Sequence, residues 1–399
     1  MTWHKEIHGK NSLDILIIFG VIFLIINYFQ STYLIMFLGG FLIIISLMSR
    51  YYLKHISDHL FIENDKEPIR VSVGEEFNLP IKITQNHWLP IINATVRIKL
   101  EPIVDSINFK TVSNDSNLEI MIPIQLKGNE TIQINLPLSA TKRGVTRIKQ
   151  VELKISNFFS LGYIYITYKP FLYKEIIIYP TLIPVPQIDQ IISTSSYGSF
   201  VTNTSMFEDF LAPIGTRDYV YSDSFHRIHW KASAKTQVLQ TKIYERTADY
   251  SITFIINLRK PHHDNFRLSI IDNIESIASN IAYIVQYAAI KNINYEIFLN
   301  LNMENGVPVY HLPIGGGKSQ LSKTYEILAR INGARMTQPI DRLLHYVEKQ
   351  QRKSPVVILC GPFDKHGDRY FAQMRKRGQI IYYLQDDLES PTLVPFGQH

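Results

Sequence analysis

The sequence predicts a multidomain, membrane-anchored chain: an N-terminal transmembrane helical hairpin, an antiparallel β-sandwich and a C-terminal α/β domain. Three observations carry this. Two long apolar runs open the chain, apolar and polar residues alternate with period two through its middle, and strand-like runs alternate with helix-period stretches towards its end. The predicted divisions are a hairpin at 1–50, a juxtamembrane linker at 51–68, a β domain at 69–180, a linker at 181–213, and an α/β domain at 214–399.

The apolar runs cover 13–29 and 33–48, separated by Gln30, Ser31 and Thr32. Each approaches the ~17–25 residues that a spanning helix needs. A signal peptide fits poorly, because no small-residue cleavage site follows the first run and a second run does. Lys5 and Lys10 precede the pair, Arg50 and Lys54 follow it, and the tip between the runs is uncharged. Basic residues stay on the cytoplasmic side. The chain therefore reads as a multi-pass protein of the cell membrane with both termini cytoplasmic. Asp14 sits at the membrane edge and is assigned no role. Residues 51–68, mixed and polar, read as a connector.

From 69 to about 180, IRVSVGEEFNLPIKITQ, ATVRIKL, LEIMIPIQL, TIQINLPLSA, GVTRIKQVELKIS and YIYITY alternate apolar with polar between turn residues, as half-buried antiparallel strands do. Trp88, in a loop beside Pro90, reads as a packing residue. YPTLIPVPQ and the Ser/Thr/Gly-rich stretch 193–205 mark a domain boundary. Beyond 250, SITFIINL, INYEIFLNL, PVVILC and QIIYYLQ read as strands, and VPVYHLP as a short one. Helical patterns cover 266–290, 319–331, 340–352 and 367–377. Such alternation implies a parallel or mixed sheet covered on both faces.

With 46% apolar and 12% aromatic residues the chain can build packed cores, and a net charge of +6 beside a membrane segment points to phospholipid before nucleic acid. The single cysteine, Cys360, excludes an intrachain disulfide and ends an apolar run, as a buried thiol does. GGGKS at 315–319 lacks the leading glycine of a phosphate loop, its place being taken by Leu312, and reads as a loop that starts a helix. His262, His263 and Asp264 read as exposed turn residues, for want of further ligands at metal-binding spacing. No GxSxG, HExxH or paired CxxC occurs. Neither a cofactor nor a metal is expected.

The densest polar constellation is GTRDYVYSDSFHRIHWKASAKTQVLQTKIYER, 215–246. Its candidate residues are Arg217, Tyr219, Asp223, Arg227, His229, Trp230, Lys231, Ser233 and Lys235. One reading is structural: Arg217 or Arg227 pairs with Asp223 to pin a loop while Trp230 fills the core. A second is a docking face for an acidic partner or a phosphate. A third is a hydrolytic enzyme using Asp223 and His229, without a recognisable nucleophile or metal set. Six basic against four acidic residues, counting Asp249 just beyond the stretch, is too balanced for a nucleic-acid stripe.

This stretch closely resembles the signature of the domain-of-unknown-function 58 family, through Arg217, Tyr219, Asp223, Arg227, Ile228, Trp230, Ser233 and Ala234. Ser222 stands where the family usually has glycine. The leading helices, the β domain, TKRGV at 141–145, NFFSLGYI at 157–164 and IIIYPTLIPV at 176–185 are similar to the family's layout. The resemblance implies a von Willebrand factor A-like fold for the C-terminal domain. It implies no metal there, because Asn257, Leu258, Arg259, Lys260 and Pro261 stand where oxygen ligands belong. It also implies partnership with a MoxR-type AAA+ ATPase and a membrane transglutaminase-like protein. The expectation is a non-enzymatic, membrane-tethered scaffold or adaptor.

Overall fold

The computed structural model describes residues 3–30, 33–114, 116–157, 159–196, 200–201, 208–248, 251–260, 270–301, 309–331, 337–350, 354–363, 367–386 and 390–397. The His262–Asp264 turn and Pro261 lie outside them. The chain forms two compact units, Met1–Tyr179 and Pro180–His399, with separate hydrophobic cores.

The first unit opens with a strand, β1 (Trp3–His8), then helices α1 (Lys10–Gln30) and α2 (Tyr33–His55). Both helices are long and apolar enough to cross a membrane. They are crossed by small residues: a Cβ on Gly20 would lie 2.6 Å from Ile43 Cγ1 and 2.9 Å from the Gly39 carbonyl oxygen. Glycine here permits the close approach, as in packed membrane helices. Ser46 Oγ donates to the Leu13 carbonyl at 2.8 Å, and Asp14 pairs with Arg50. Ile15, Ile18, Phe19, Phe37 and Ile44 point outward, exposed.

Strands β2 (Leu60–Ile62), β3 (Ile69–Ser72), β4 (Glu76–Gln85), β5 (Ile91–Leu100), β6 (Val104–Ser106), β7 (Lys110–Asn114) and β8 (Asn117–Leu126) follow. The unit closes with β9 (Thr131–Ala140), β10 (Gly144–Arg147), β11 (Gln150–Ser156), β12 (Tyr163–Tyr168) and β13 (Glu175–Tyr179). They form sheets in the orders β1-β12-β11-β5-β8-β7, β2-β4-β9-β6 and β10-β13-β3. Alternate residues of the first two, such as Val96 and Ile98 on β5 and Leu79 and Ile81 on β4, enter one core. The third includes a parallel pair, β13 with β3.

Three features differ from the sequence expectation. Residues 3–8, assigned with the hairpin at 1–50, form a strand of the β body; β1 pairs antiparallel with β12, from Trp3 opposite Tyr168 to His8 opposite Tyr163. Trp3 is buried and its Nε1 donates to the Leu60 carbonyl at 2.7 Å. The stretch 51–62 is no free connector either. It completes α2, forms a 3-10 turn at Ile56–His59 and pairs β2 with β4, because Leu53, Ile56, Leu60 and Ile62 all reach the core. Trp88 is not packed: it stacks on His87 and is otherwise 68% exposed.

The second unit contains α3 (Gln187–Ser196), β14 (Phe200–Val201), β15 (Glu208–Asp218), α4 (Trp230–Thr236), β16 (Gln240–Ala248), β17 (Ser251–Ile256), α5 (Ile274–Ile290) and β18 (Asn294–Leu299). After these come β19 (Tyr310–Gly315), α6 (Gly317–Arg330), α7 (Ile340–Gln350), β20 (Val356–Cys360), α8 (Asp368–Lys376), β21 (Ile380–Gln385) and β22 (Thr392–Pro395). The main sheet runs β19-β18-β17-β20-β21-β22, parallel across β18, β17, β20 and β21 with antiparallel edges. Both faces are covered. Ile252, Phe254 and Ile256 of β17 pack with α3, α5 and α6, while Ile255 packs with α7 and α8. Continuous apolar strands are what such two-sided burial requires. Helix α5 begins at Ile274, later than the 266 expected from periodicity, because Ile270 bridges to Arg259 and the Ile271 N–H donates to the Leu258 carbonyl.

Candidate interaction site

Strands β15 and β16 pair antiparallel, with Arg217 opposite Thr241 and Asp218 opposite Gln240. Residues 219–239 are the excursion between them, and two polar locks hold it. In the first, Arg217 Nη2 donates to Asp223 Oδ1 at 2.6 Å, while the Val220 N–H and Thr241 Oγ1 both donate to Oδ2 at 3.1 Å. Tyr219 Oη donates to the Asp223 carbonyl at 3.2 Å. Arg217, followed by the Val220 N–H, holds the Asp223 carboxyl below the usual carboxylate range. The Asp223 N–H closes a turn on the Val220 carbonyl at 2.7 Å. Ser222 lies within that turn and is not among the residues with positive φ. Serine therefore fits there without backbone strain.

The second lock is built on α4. His229 Nδ1 accepts the Ala232 N–H at 3.0 Å and caps the helix, which leaves the ring proton to Nε2. Ser233 Oγ donates to the His229 carbonyl at 3.1 Å and accepts the Gln240 N–H at 2.9 Å. Gln240 Nε2 in turn donates to Asp218 Oδ1 at 2.6 Å. The helix ends at Gln237, in the left-handed region at φ 56°.

Ile228 takes the buried place in this motif, so Trp230, expected in the core, instead faces outward. It is 68% exposed, alongside Phe225 at 71% and Tyr221 at 97%. Lys231 and Lys235 are exposed too, and Arg227 is half-buried. Asp223 and His229 belong to different locks. Of the two expected pairings, Asp223 takes the one with Arg217. Gln240 and Thr241 were not singled out from sequence. They sit on the strand opposite Arg217 and Asp218, a pairing that only the register reveals.

A second polar group gathers at the carboxyl ends of β17, β18 and β20. Asn300, fully buried, accepts the Leu258 N–H on Oδ1 at 2.8 Å. Its Nδ2 donates to Asn257 Oδ1 at 2.6 Å and to the Gln338 carbonyl at 3.0 Å. Asn257 Oδ1 also accepts the Arg259 N–H, and its Nδ2 donates to the Pro362 carbonyl. Beside this group lies an open cleft of ≈ 700 Å³, lined in part by Lys260, Asp272, Asn273, Gly361 and Asp386. Asp386 accepts from Asn273, Ser276 and Asn280. Lys260 pairs with Asp272 at 2.7 Å. Crevices at the carboxyl ends of parallel strands are where open α/β sheets bind ligands. Among the described residues, no three His, Cys, Asp or Glu side chains gather as a metal set. GGGKS spans the end of β19 and the start of α6.

No known family and no curated protein matches the chain. Among solved structures it is similar to a non-cellulosomal cohesin from the archaeon Archaeoglobus fulgidus, at 10% identity and TM-score 0.21, over 30% of this chain and 91% of that one. It is also similar to a Salmonella α2-macroglobulin, at 13% identity and TM-score 0.20, over 32% of this chain and 7% of that one. A trypsin-activated α2-macroglobulin from Escherichia coli gives 13% identity and TM-score 0.20, over 43% of this chain and 9% of that one. What stands from fold and site is a chain with two N-terminal helices long and apolar enough to cross a membrane, joined to a body built largely of β-sheets.

Proposed function

We propose that the chain is a membrane-tethered scaffold of the domain-of-unknown-function 58 type, whose C-terminal unit is von Willebrand factor A-like and docks a cytoplasmic MoxR-type AAA+ ATPase. The observation that carries the docking reading is the outward set of Tyr221, Phe225 and Trp230 beside Lys231 and Lys235. Large aromatic side chains on a braced loop, bordered by cations, have the composition of interaction hot spots.

Two observations support the placement of this face in the cytoplasm. The strands flanking the hairpin, β1 and β2, both join the first unit, so both ends of the hairpin lie on one side. Lys10, Arg50 and Lys54 stand at those ends, which favours the inner side. A membrane transglutaminase-like protein is the further partner in this reading.

The test is capture of the purified MoxR-type ATPase by the full chain in detergent. Tyr221→Ala, Phe225→Ala and Trp230→Ala should each weaken capture at least severalfold without lowering the melting temperature. Equal capture by all three variants would remove the docking face.

A further inference from the structure

The base of the helical hairpin is gripped by two loops of the first unit. Loop 157–162 meets both helices. A Cβ on Gly9, just before α1, would lie 2.7 Å from Gly162 Cα, and one on Gly162 would lie 3.2 Å from Leu53 Cδ1 and 3.8 Å from Leu13 Cδ1. Its described ends are tied together, with the Asn157 N–H on the Gly162 carbonyl at 3.0 Å and the Leu161 N–H on Asn157 Oδ1 at 2.8 Å. Loop 86–90 meets the neighbouring residue of α2, since Tyr52 Oη donates to the Pro90 carbonyl at 2.9 Å. His59 stacks on His87, the Asn86 N–H donates to the His59 carbonyl, and the Asn129 N–H donates to the His87 carbonyl. The backbone at Trp88 is fixed as well: a Cβ on Gly128 would lie 2.1 Å from its carbonyl oxygen.

Each of these loops carries one large, mostly exposed apolar side chain. Trp88 is 68% exposed and Phe159 is 54% exposed. The two loops that carry them meet the last turns of α2 at Tyr52 and Leu53, where a helix that crosses a bilayer would leave it. Lys54 at the end of α2 and Lys127, in the turn between β8 and β9 that bonds loop 86–90 through Asn129, are exposed. A tryptophan gains most at the membrane–water boundary, where the ring enters apolar surroundings and its N–H stays hydrated. Lysines at the surface of an anionic leaflet are drawn to its headgroups.

We propose that this rim rests on the bilayer, with Trp88 and Phe159 set into the headgroup layer and Lys54 and Lys127 against anionic lipid phosphates. The inference rests on the reading that α1 and α2 cross the membrane, and it adds that the β unit is held flush against the surface instead of hanging from a tether. It explains why residues 51–62 fold into the unit. A flush unit needs a rigid exit from the bilayer.

The chain's three tryptophans allow a direct test. The full chain is reconstituted into vesicles of equal parts phosphatidylcholine and phosphatidylglycerol, as Trp230→Phe and as Trp230→Phe/Trp88→Phe. The difference in emission isolates Trp88, since Trp3 is common to both. Phosphatidylcholine brominated on the acyl carbons nearest the headgroup should remove most of that difference, and aqueous iodide should remove little. Phe159→Trp placed in the doubly substituted chain should behave alike. Vesicle flotation is scored on the same samples. If the chain floats while iodide quenches Trp88 and brominated lipid does not, the rim stands off the bilayer and the proposal falls, with the membrane reading intact. If the chain fails to float, that reading falls first and takes the proposal with it.

Discussion

Replacing Asn300 by alanine tests whether the amide network at the strand ends holds the second unit together. Asn300 is fully buried and makes three side-chain hydrogen bonds, to the Leu258 N–H, Asn257 Oδ1 and the Gln338 carbonyl. Alanine removes all three and leaves the Leu258 N–H without its acceptor. The two bonds from Nδ2 are worth about 1 kcal/mol each net, and the orphaned buried Leu258 donor costs about 1–3 kcal/mol. The sum is about 3–5 kcal/mol. A domain of this size shifts by about 2–4 °C per kcal/mol, so its transition should fall by roughly 6–20 °C. Scanning calorimetry of the detergent-solubilised full chain measures this. Asn300→Asp sharpens the test at neutral pH. Aspartate keeps an acceptor for Leu258 but turns an oxygen towards two other oxygens, so it should melt no higher than the alanine variant. A wild-type transition for Asn300→Ala would refute the argument, and so would Asn300→Asp melting well above it.

Asp223→Ala should lower the melting temperature measurably, whereas Lys235→Ala, an exposed lysine, should leave it unchanged; differential scanning of both variants decides. Because the folded Asp223 carboxyl is held below its ordinary value of 3.8, its contribution is complete above that value and is lost as pH falls through the lowered one. Proteolysis of the 219–239 excursion should therefore speed up only in strong acid, and Asp223→Asn should abolish the acid step. Cys360 is fully buried and its thiol is pushed up by burial. It should resist alkylation in the native chain and react after denaturation, as read by mass spectrometry. Gly361 has φ +92°, and a Cβ there would lie 1.9 Å from the Asn257 carbonyl oxygen. Gly361→Ala should cost more than ~2 kcal/mol by urea midpoint.

The sequence by itself determined the local structure. Apolar runs of spanning length specify the two helices, and the alternation in 69–180 specifies strands with one buried face. The continuous apolar runs SITFII and VVILC specify strands buried on both. These signals are legible because each is written in consecutive residues by the geometry of its own element. The tertiary structure decided everything that depends on a partner distant in the chain. WHKEIH has too few apolar residues to announce a strand, and only pairing with β12 makes it one. The polar composition of 51–62 conceals five residues that reach the core, Tyr52, Leu53, Ile56, Leu60 and Ile62, because burial is set by what packs over a segment and not by its average polarity. Trp88 and Trp230 are large and apolar, so sequence reasoning sends both inward. They face outward because Tyr52 with His59, and Ile228 with the two polar locks, fix the backbone beside them. Asn257 likewise could be seen to lack a carboxylate, but its role is a set of hydrogen bonds to Asn300, Arg259 and Pro362. Those bonds exist only once parallel strands bring three separate segments of the chain to one edge of the sheet.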